Sequence, residues 1–223
     1  MSVAAVRRRI AAAAASVGRD PDAVRLIAVT KGHAADVVAD VVLAAGVRDL
    51  GENRVQEWRD KAAALPDDVV WHHVGTLQRN KVKYLAAARV PWIHSLTSAR
   101  LADTLEAQGA KHDHVFTALV EVNVAGEAAK QGVAPEEVDA LLAHAAPLAH
   151  VDVVGLMTMA PYASDPEVAR PVFRTLAALA DAHDLPERSM GMSGDLEVAV
   201  QEGATMVRVG SATFAPDAEG GRS

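Results

Sequence analysis

Short apolar runs rich in β-branched residues alternate with amphipathic stretches along the whole chain. Eight of these runs read as strands: Leu26–Thr30, Val47–Leu50, Val70–Val74, Trp92–Ser95, Val115–Val122, Val153–Met157, Ser189–Met192 and Met206–Val209. They are short and apolar, as strands covered on both faces of a parallel sheet are. Helical spacing separates them, over Ala34–Ala45, Arg54–Leu65, Gln78–Ala88, Ser98–Ala107, Pro135–Ala145, Pro166–His183 and Asp195–Glu202. Ahead of all of these, Val3, Val6, Ile10, Ala13 and Val17 share one face of an amphipathic helix. Arg7, Arg8 and Arg9 before an alanine run imitate a signal peptide, but alanine is too weakly apolar for its hydrophobic region. Eight βα alternations with right-handed crossovers close most economically as a single-domain α/β fold, a (β/α)8 barrel over residues 1–216 with an additional N-terminal helix. A doubly wound open sheet is the alternative. Residues 217–223 are expected to be a disordered tail.

Composition narrows the class. A chain of 223 residues buries enough surface to fold as one domain. At 50% hydrophobic but 4% aromatic residues, its core must be built from Ala, Val and Leu. A net charge of -7 argues against electrostatic capture of nucleic acid or an anionic membrane. No apolar stretch reaches the ~18 residues that would span a bilayer. The charge is uneven: residues 1–111 carry 16 Lys and Arg against 12 Asp and Glu, whereas residues 112–223 carry 6 against 17. Arg79, Lys81, Lys83 and Arg89 form a basic cluster that reads as a solvated helix face, with an acidic partner as the other reading. The chain has no cysteine, which removes disulfides, thiolate nucleophiles and Cys-ligated zinc and makes the cytoplasm the simplest location.

In such a barrel, functional groups collect at the carboxyl ends of the strands. The residues predicted there are Lys31, Glu52, Asn53, His72, Asn123, Met157, Ser193, Gly194, Arg208, Gly210 and Ser211. Several have an ordinary structural reading as well. Lys31 is a strand-end lysine that merely reaches water, and His72 is a core histidine. Asn53 with Gln56 forms a capping box, and Ser193 caps the helix beginning at Asp195. The last two βα turns, Gly191-Met192-Ser193-Gly194 and Arg208-Val209-Gly210-Ser211, are small and rich in free NH groups, as in the phosphate site of such barrels. Closure sets the last strand beside the first, so Lys31 and Arg208 face one mouth. An amine, a phosphate cup and a guanidinium for a ring nitrogen together describe a pyridoxal phosphate site. An arginine opposite the pyridine nitrogen disfavours its protonation and leaves the ring a weak electron sink. The Gly126–Gly132 segment reads as a longer functional loop. His112 and His114 read as a solvated loop, and the adjacent His72 and His73 point to opposite faces of a strand, so no metal site is expected.

Ordered motifs extend this reading. They are Ala28-Val29-Thr30-Lys31, Gly51-Glu52-Asn53-Arg54-Val55-Gln56-Glu57, Trp71-His72-His73-Val74-Gly75-Thr76-Leu77-Gln78-Arg79-Asn80-Lys81, Val122-Asn123 with Glu127, Lys130 and Gly132, Gly155-Leu156-Met157, Ser189 to Asp195, and Val207 to Gly210. With them the chain resembles the pyridoxal phosphate homeostasis proteins, which look like the barrel domain of alanine racemase standing alone. The resemblance implies that Lys31 holds the cofactor as a Schiff base and that Arg208 faces the pyridine nitrogen. It further implies that Ser193, Gly194, Gly210 and Ser211 hold the phosphate, with Asn53, His72 and Met192 around the ring. The chain departs from the family pattern at Thr76, Gly194 and Ala215. The expected function is intracellular storage, buffering or delivery of pyridoxal 5'-phosphate by a cytoplasmic monomer without catalytic residues, with pyridoxal phosphate-dependent apoenzymes as partners. A pyridoxal phosphate-dependent amino-acid racemase is the alternative. Two-base racemisation needs an acid/base group on each face of the cofactor, and the barrel readily offers only Lys31.

Overall fold

The apolar runs pair with their neighbours in sequence order. The computed structural model describes residues 2–127 and 130–215, and in it the parallel strands close into a barrel. The strands are β1 (Arg25–Val29), β2 (Asp49–Glu52), β3 (Val70–His73), β4 (Trp92–Leu96), β5 (Phe116–Glu121), β6 (Val151–Met157), β7 (Glu187–Ser189) and β8 (Met206–Val209). Closure is made by β8 against β1, with Ile27 opposite Arg208 and Ala28 opposite Val209. The helices are α1 (Val3–Ser16), α2 (Ala35–Val38), α3 (Val55–Ala62), α4 (Val82–Ala87), α5 (Ala99–His112), α6 (Val138–Ala145), α7 (Arg170–Ala182) and α8 (Leu196–Gln201). The barrel expectation therefore holds and the open sheet does not.

α1 starts at Ser2, whose hydroxyl accepts from the Ala5 amide at 3.2 Å. It buries Val3, Val6, Ile10, Ala13 and Ala14, while Val17 lies past the last turn and is exposed. The helix packs against α8 and so completes the outer ring. Arg9 donates to Glu197 at 2.6 Å, and Arg19 donates to the Ala204 carbonyl at 2.9 Å.

The element boundaries move where packing overrides pattern. β2 lies two residues later than its apolar run, because Val47 still donates to the Val42 carbonyl at the end of a π-helical turn, Ala39–Leu43. β7 ends at Ser189 rather than spanning Ser189–Met192. Gly191 has φ +93°, and a Cβ there would lie 2.4 Å from that of Ala199, so the chain must turn. The expected helix over Pro166–His183 divides into a 3₁₀ turn, Pro166–Ala169, and α7. Pro171 has no N–H to give and sits in the first turn, the place a helix tolerates it. α5 runs past Gly109 because that glycine packs against His150 and does not stop the helix. The expected tail, 217–223, lies outside the described residues, as do two positions of the Gly126–Gly132 loop.

The core has two parts. Most buried apolar residues fill the layer between the barrel and its helices. Inside the barrel a smaller cluster of Ile27, Leu119, Met157 and Met206 closes the interior. The same interior also holds buried polar groups, His72, His94, Ser189 and Arg208.

Candidate functional site at the barrel mouth

Inward-facing positions of β1 are Ile27 and Val29, and two residues on, at the strand's open end, stands Lys31. Lys31 lines a pocket of about 380 Å³ together with Asn53, Met192, Ser193, Gly194, Arg208, Gly210 and Ser211. Barrel closure thus gathers residues from the first, second, seventh and eighth βα turns. Val29, Val74, Met159, Tyr162, Asp165 and Asp195 complete much of the wall.

Arg208 is 5% exposed and tightly held. It donates to the Ser189 carbonyl at 2.8 Å, to the Ser189 hydroxyl at 2.6 Å and to the Thr158 carbonyl at 3.0 Å. Burial brings its guanidinium down to about 10, and the carboxylates of Glu121 and Asp195 oppose that shift, so it stays charged at neutral pH. Burial in turn raises the Glu121 and Asp195 carboxyls.

The phosphate-type loops have space where a ligand would need it. A Cβ at Gly194 would meet nothing within 4 Å, and one at Gly210 would come no nearer than 3.8 Å to any atom. Packing therefore does not require glycine at either position, and a side chain there would occupy the cradle itself. Asp195 accepts from the Met192 amide at 2.6 Å, and Arg9 donates to the Ser193 carbonyl at 3.1 Å. Ser193 does not cap the following helix, since Asp195 occupies the N-cap position and leaves the serine hydroxyl to the pocket. Asn53 likewise forms no capping box: Arg54 is the N-cap of α3 and no side chain caps it. Extended backbone through Arg54 starts the helix one residue later than the motif suggests.

His72 is apart from the pocket lining and lies in the barrel interior. Its Nε2 is 3.0 Å from Asp49, its Nδ1 is 2.9 Å from Nε2 of His94, and Nδ1 of His94 is 2.9 Å from the Ser189 hydroxyl. Burial lowers both imidazoles, so each is neutral. One set of protons satisfies the whole spine. Arg208 donates to Ser189, Ser189 to His94, His94 to His72, and His72 to Asp49. A chain of bonds thus connects the mouth arginine to the amino-terminal end of the barrel.

Other strand-end candidates serve structure. Glu52 is buried against the Lys61 ammonium and the Thr30 hydroxyl, and Lys61 also donates to the Thr30 carbonyl at 2.6 Å. Asn123 donates to the Glu127 carbonyl at 2.9 Å and holds its own loop, while Met157 belongs to the interior apolar cluster. The sequence reading passed over His94 and Glu121, and included Ser189 and Asp195 within a motif without giving either a place in the site. His94 did leave a signal, because a polar residue two positions after Trp92 in a strand shares its inward face, whereas a register shift before Leu96 turns that residue to the outer layer. Tyr162, fully exposed at the rim, left none.

Comparison with known proteins matches residues 1–217 to the family of the alanine racemase N-terminal domain. The pyridoxal phosphate homeostasis protein of Aquifex aeolicus is 43% identical over 216 residues, covering 94% of each chain. PipY of Synechococcus elongatus, solved with pyridoxal phosphate bound, superposes with a TM-score of 0.79 at 36% identity, covering 92% of this chain and all of its own. An alanine racemase of Clostridium difficile shares the fold at 14% identity, with a TM-score of 0.72 over 57% of its length.

Proposed function

Because the chain belongs to the alanine racemase N-terminal domain family, and within it to the pyridoxal phosphate homeostasis proteins, we propose that it binds pyridoxal 5'-phosphate at the barrel mouth for intracellular cofactor homeostasis. The observation that carries this reading is the convergence of Lys31, Arg208 and the open Gly194 and Gly210 cradle on one pocket. The bound cofactor supplies an aldehyde for covalent attachment to an amine and a ring that accepts electron density.

The chain's own groups divide the work of holding it. Lys31 offers the amine. Ser193 and Ser211 donate hydroxyls, and Gly194 and Gly210 let backbone amides approach the phosphate closely. Arg208 faces the pyridine nitrogen. A charged guanidinium fixed by three hydrogen bonds donates there without surrendering its proton, which disfavours carbanion chemistry. Asn53 and Met192 flank the ring, and His72 acts from behind through the interior spine. Storage, buffering and delivery to pyridoxal phosphate-dependent apoenzymes fit this arrangement better than turnover, with a cytoplasmic monomer as the simplest form. No helix among the described residues is long and apolar enough to cross a membrane.

Purified protein supplied with pyridoxal phosphate should become yellow, and borohydride should fix the chromophore covalently. Lys31→Ala should abolish fixation. A wild-type protein that stays colourless with excess cofactor overturns the reading. Incubation of the loaded protein with amino acids in deuterated water tests the racemase alternative, and sustained α-hydrogen exchange would favour it over holding.

A further inference from the structure

A second recess, of about 320 Å³, opens between the carboxyl ends of β2 and β3 and the first turn of α3. Asn53 stands in its wall and also in the wall of the larger pocket. That wall is close-built, since a Cβ on Gly75 would lie 2.6 Å from the Asn53 carbonyl oxygen.

Three independent features converge on this recess. First, α3 has no side-chain cap, so the amides of its opening turn and the positive end of its dipole are available there. Second, Arg54 and Lys81 both line it, with Arg79 and Lys83 close by in the chain. Glu57 lies 3.4 Å from Arg54, but its other oxygen accepts from the Gly32 amide outside the recess. Third, His73 is 3% exposed, its ring meets the Thr76 backbone, and its Nε2 has no hydrogen-bond partner. A neutral imidazole whose one N–H goes to a carbonyl presents a bare lone pair on the other nitrogen. The recess therefore asks for a ligand that is anionic on one side and still carries a proton to donate on the other.

We propose that this recess binds a protonated phosphate group, as inorganic phosphate or a phosphate monoester. Its charged oxygens accept from the α3 amides, Arg54 and Lys81, and its remaining O–H donates to Nε2 of His73. Sulfate has the same shape and charge but no proton to give at neutral pH, so the site distinguishes the two.

The test uses labelled protein loaded with pyridoxal phosphate and reduced with borohydride, so that the cofactor's own phosphate fills the main cup. It is titrated at constant ionic strength with phosphate or with sulfate, while the amide resonances of Val55, Gln56, Glu57 and Thr76 are followed. Phosphate should shift them saturably, and sulfate should bind at least about tenfold more weakly, the worth of one hydrogen bond to a charged group. Lys81→Glu, an exposed substitution, should weaken both ions, whereas His73→Met should erase the preference for phosphate. Absence of saturable shifts, equal affinity for the two ions, or an unchanged affinity in Lys81→Glu overturns the proposal even if His73→Met fails to fold. Glycerol phosphate, run in parallel with inorganic phosphate at about pH 6, where roughly half of the monoester keeps the proton the site requires, separates the sources: equal affinity assigns a monoester, and a loss of about tenfold or more assigns the free ion. In unloaded protein the Gly194 and Gly210 amides should shift as well. Their failure to move would count against the cofactor reading, whereas silence at Val55 and Gln56 counts against this one.

Discussion

His73 offers a measurable link between burial and pH. Burial lowers its imidazole from the ordinary 6.5 to about 4, with a smaller opposing contribution from the Thr76 backbone. Because the folded-state value is the lower one, the unfolded chain binds the extra proton between pH 6.5 and about pH 4. Stability from this group is therefore complete above pH 6.5 and falls as the pH descends through that window. Integrated from pH 7 to pH 5, those two values give a loss of about 2 kcal/mol. His73→Met removes the titration and keeps an apolar side chain of similar volume. Urea unfolding of both proteins at pH 7 and pH 5, in phosphate-free buffer, isolates the effect. The stability of wild type relative to the variant should decline by about 2 kcal/mol over that interval. His72 and His94 are also depressed by burial and steepen both curves; His72 cancels in the difference, and His94 does so except for the small contribution that His73 itself makes to it. A difference that stays constant within about 0.5 kcal/mol would refute the assignment of a neutral, buried His73.

Two further outcomes follow from the geometry. Lys61→Met leaves the Glu52 carboxylate buried without its cation, and should cost about 3–5 kcal/mol in urea unfolding, with the double variant Lys61→Met, Glu52→Leu recovering much of it. Gly191→Ala sets a Cβ 2.4 Å from that of Ala199 at φ +93° and should destabilise the fold by about 2 kcal/mol or more, whereas Gly194→Ala, with nothing within 4 Å, should melt like wild type yet retain cofactor poorly on dialysis.

The lysine pair shows what tertiary placement adds. Lys31 and Lys61 are the same residue type, Lys31 following Thr30 at a strand end and Lys61 following Asp60 near the end of a helix. Lys61 is sealed beneath α3 against Glu52, and Lys31 opens into the mouth. The barrel-facing side of a helix and the inward face of a strand end decide this, and both depend on which element packs where. Asn53 and Ser193 make the same point. Local pattern offered each a helix cap, and the fold freed both for the pocket by starting each helix a little later.

By itself the sequence determined the order of strands and helices, the closed barrel, and the cluster of small residues and basic groups at the strand ends. Those features are periodic or local, and short-range sterics with a two-residue or helical repeat suffice to fix them. Only the tertiary structure decided that His72 joins His94, Ser189 and Arg208 in an interior spine, that β7 stops at Ser189, and that His73, with an unpartnered ring nitrogen, lines a second recess. Each of these depends on contacts between residues far apart in the chain, where close packing and the need to satisfy buried polar groups select one arrangement.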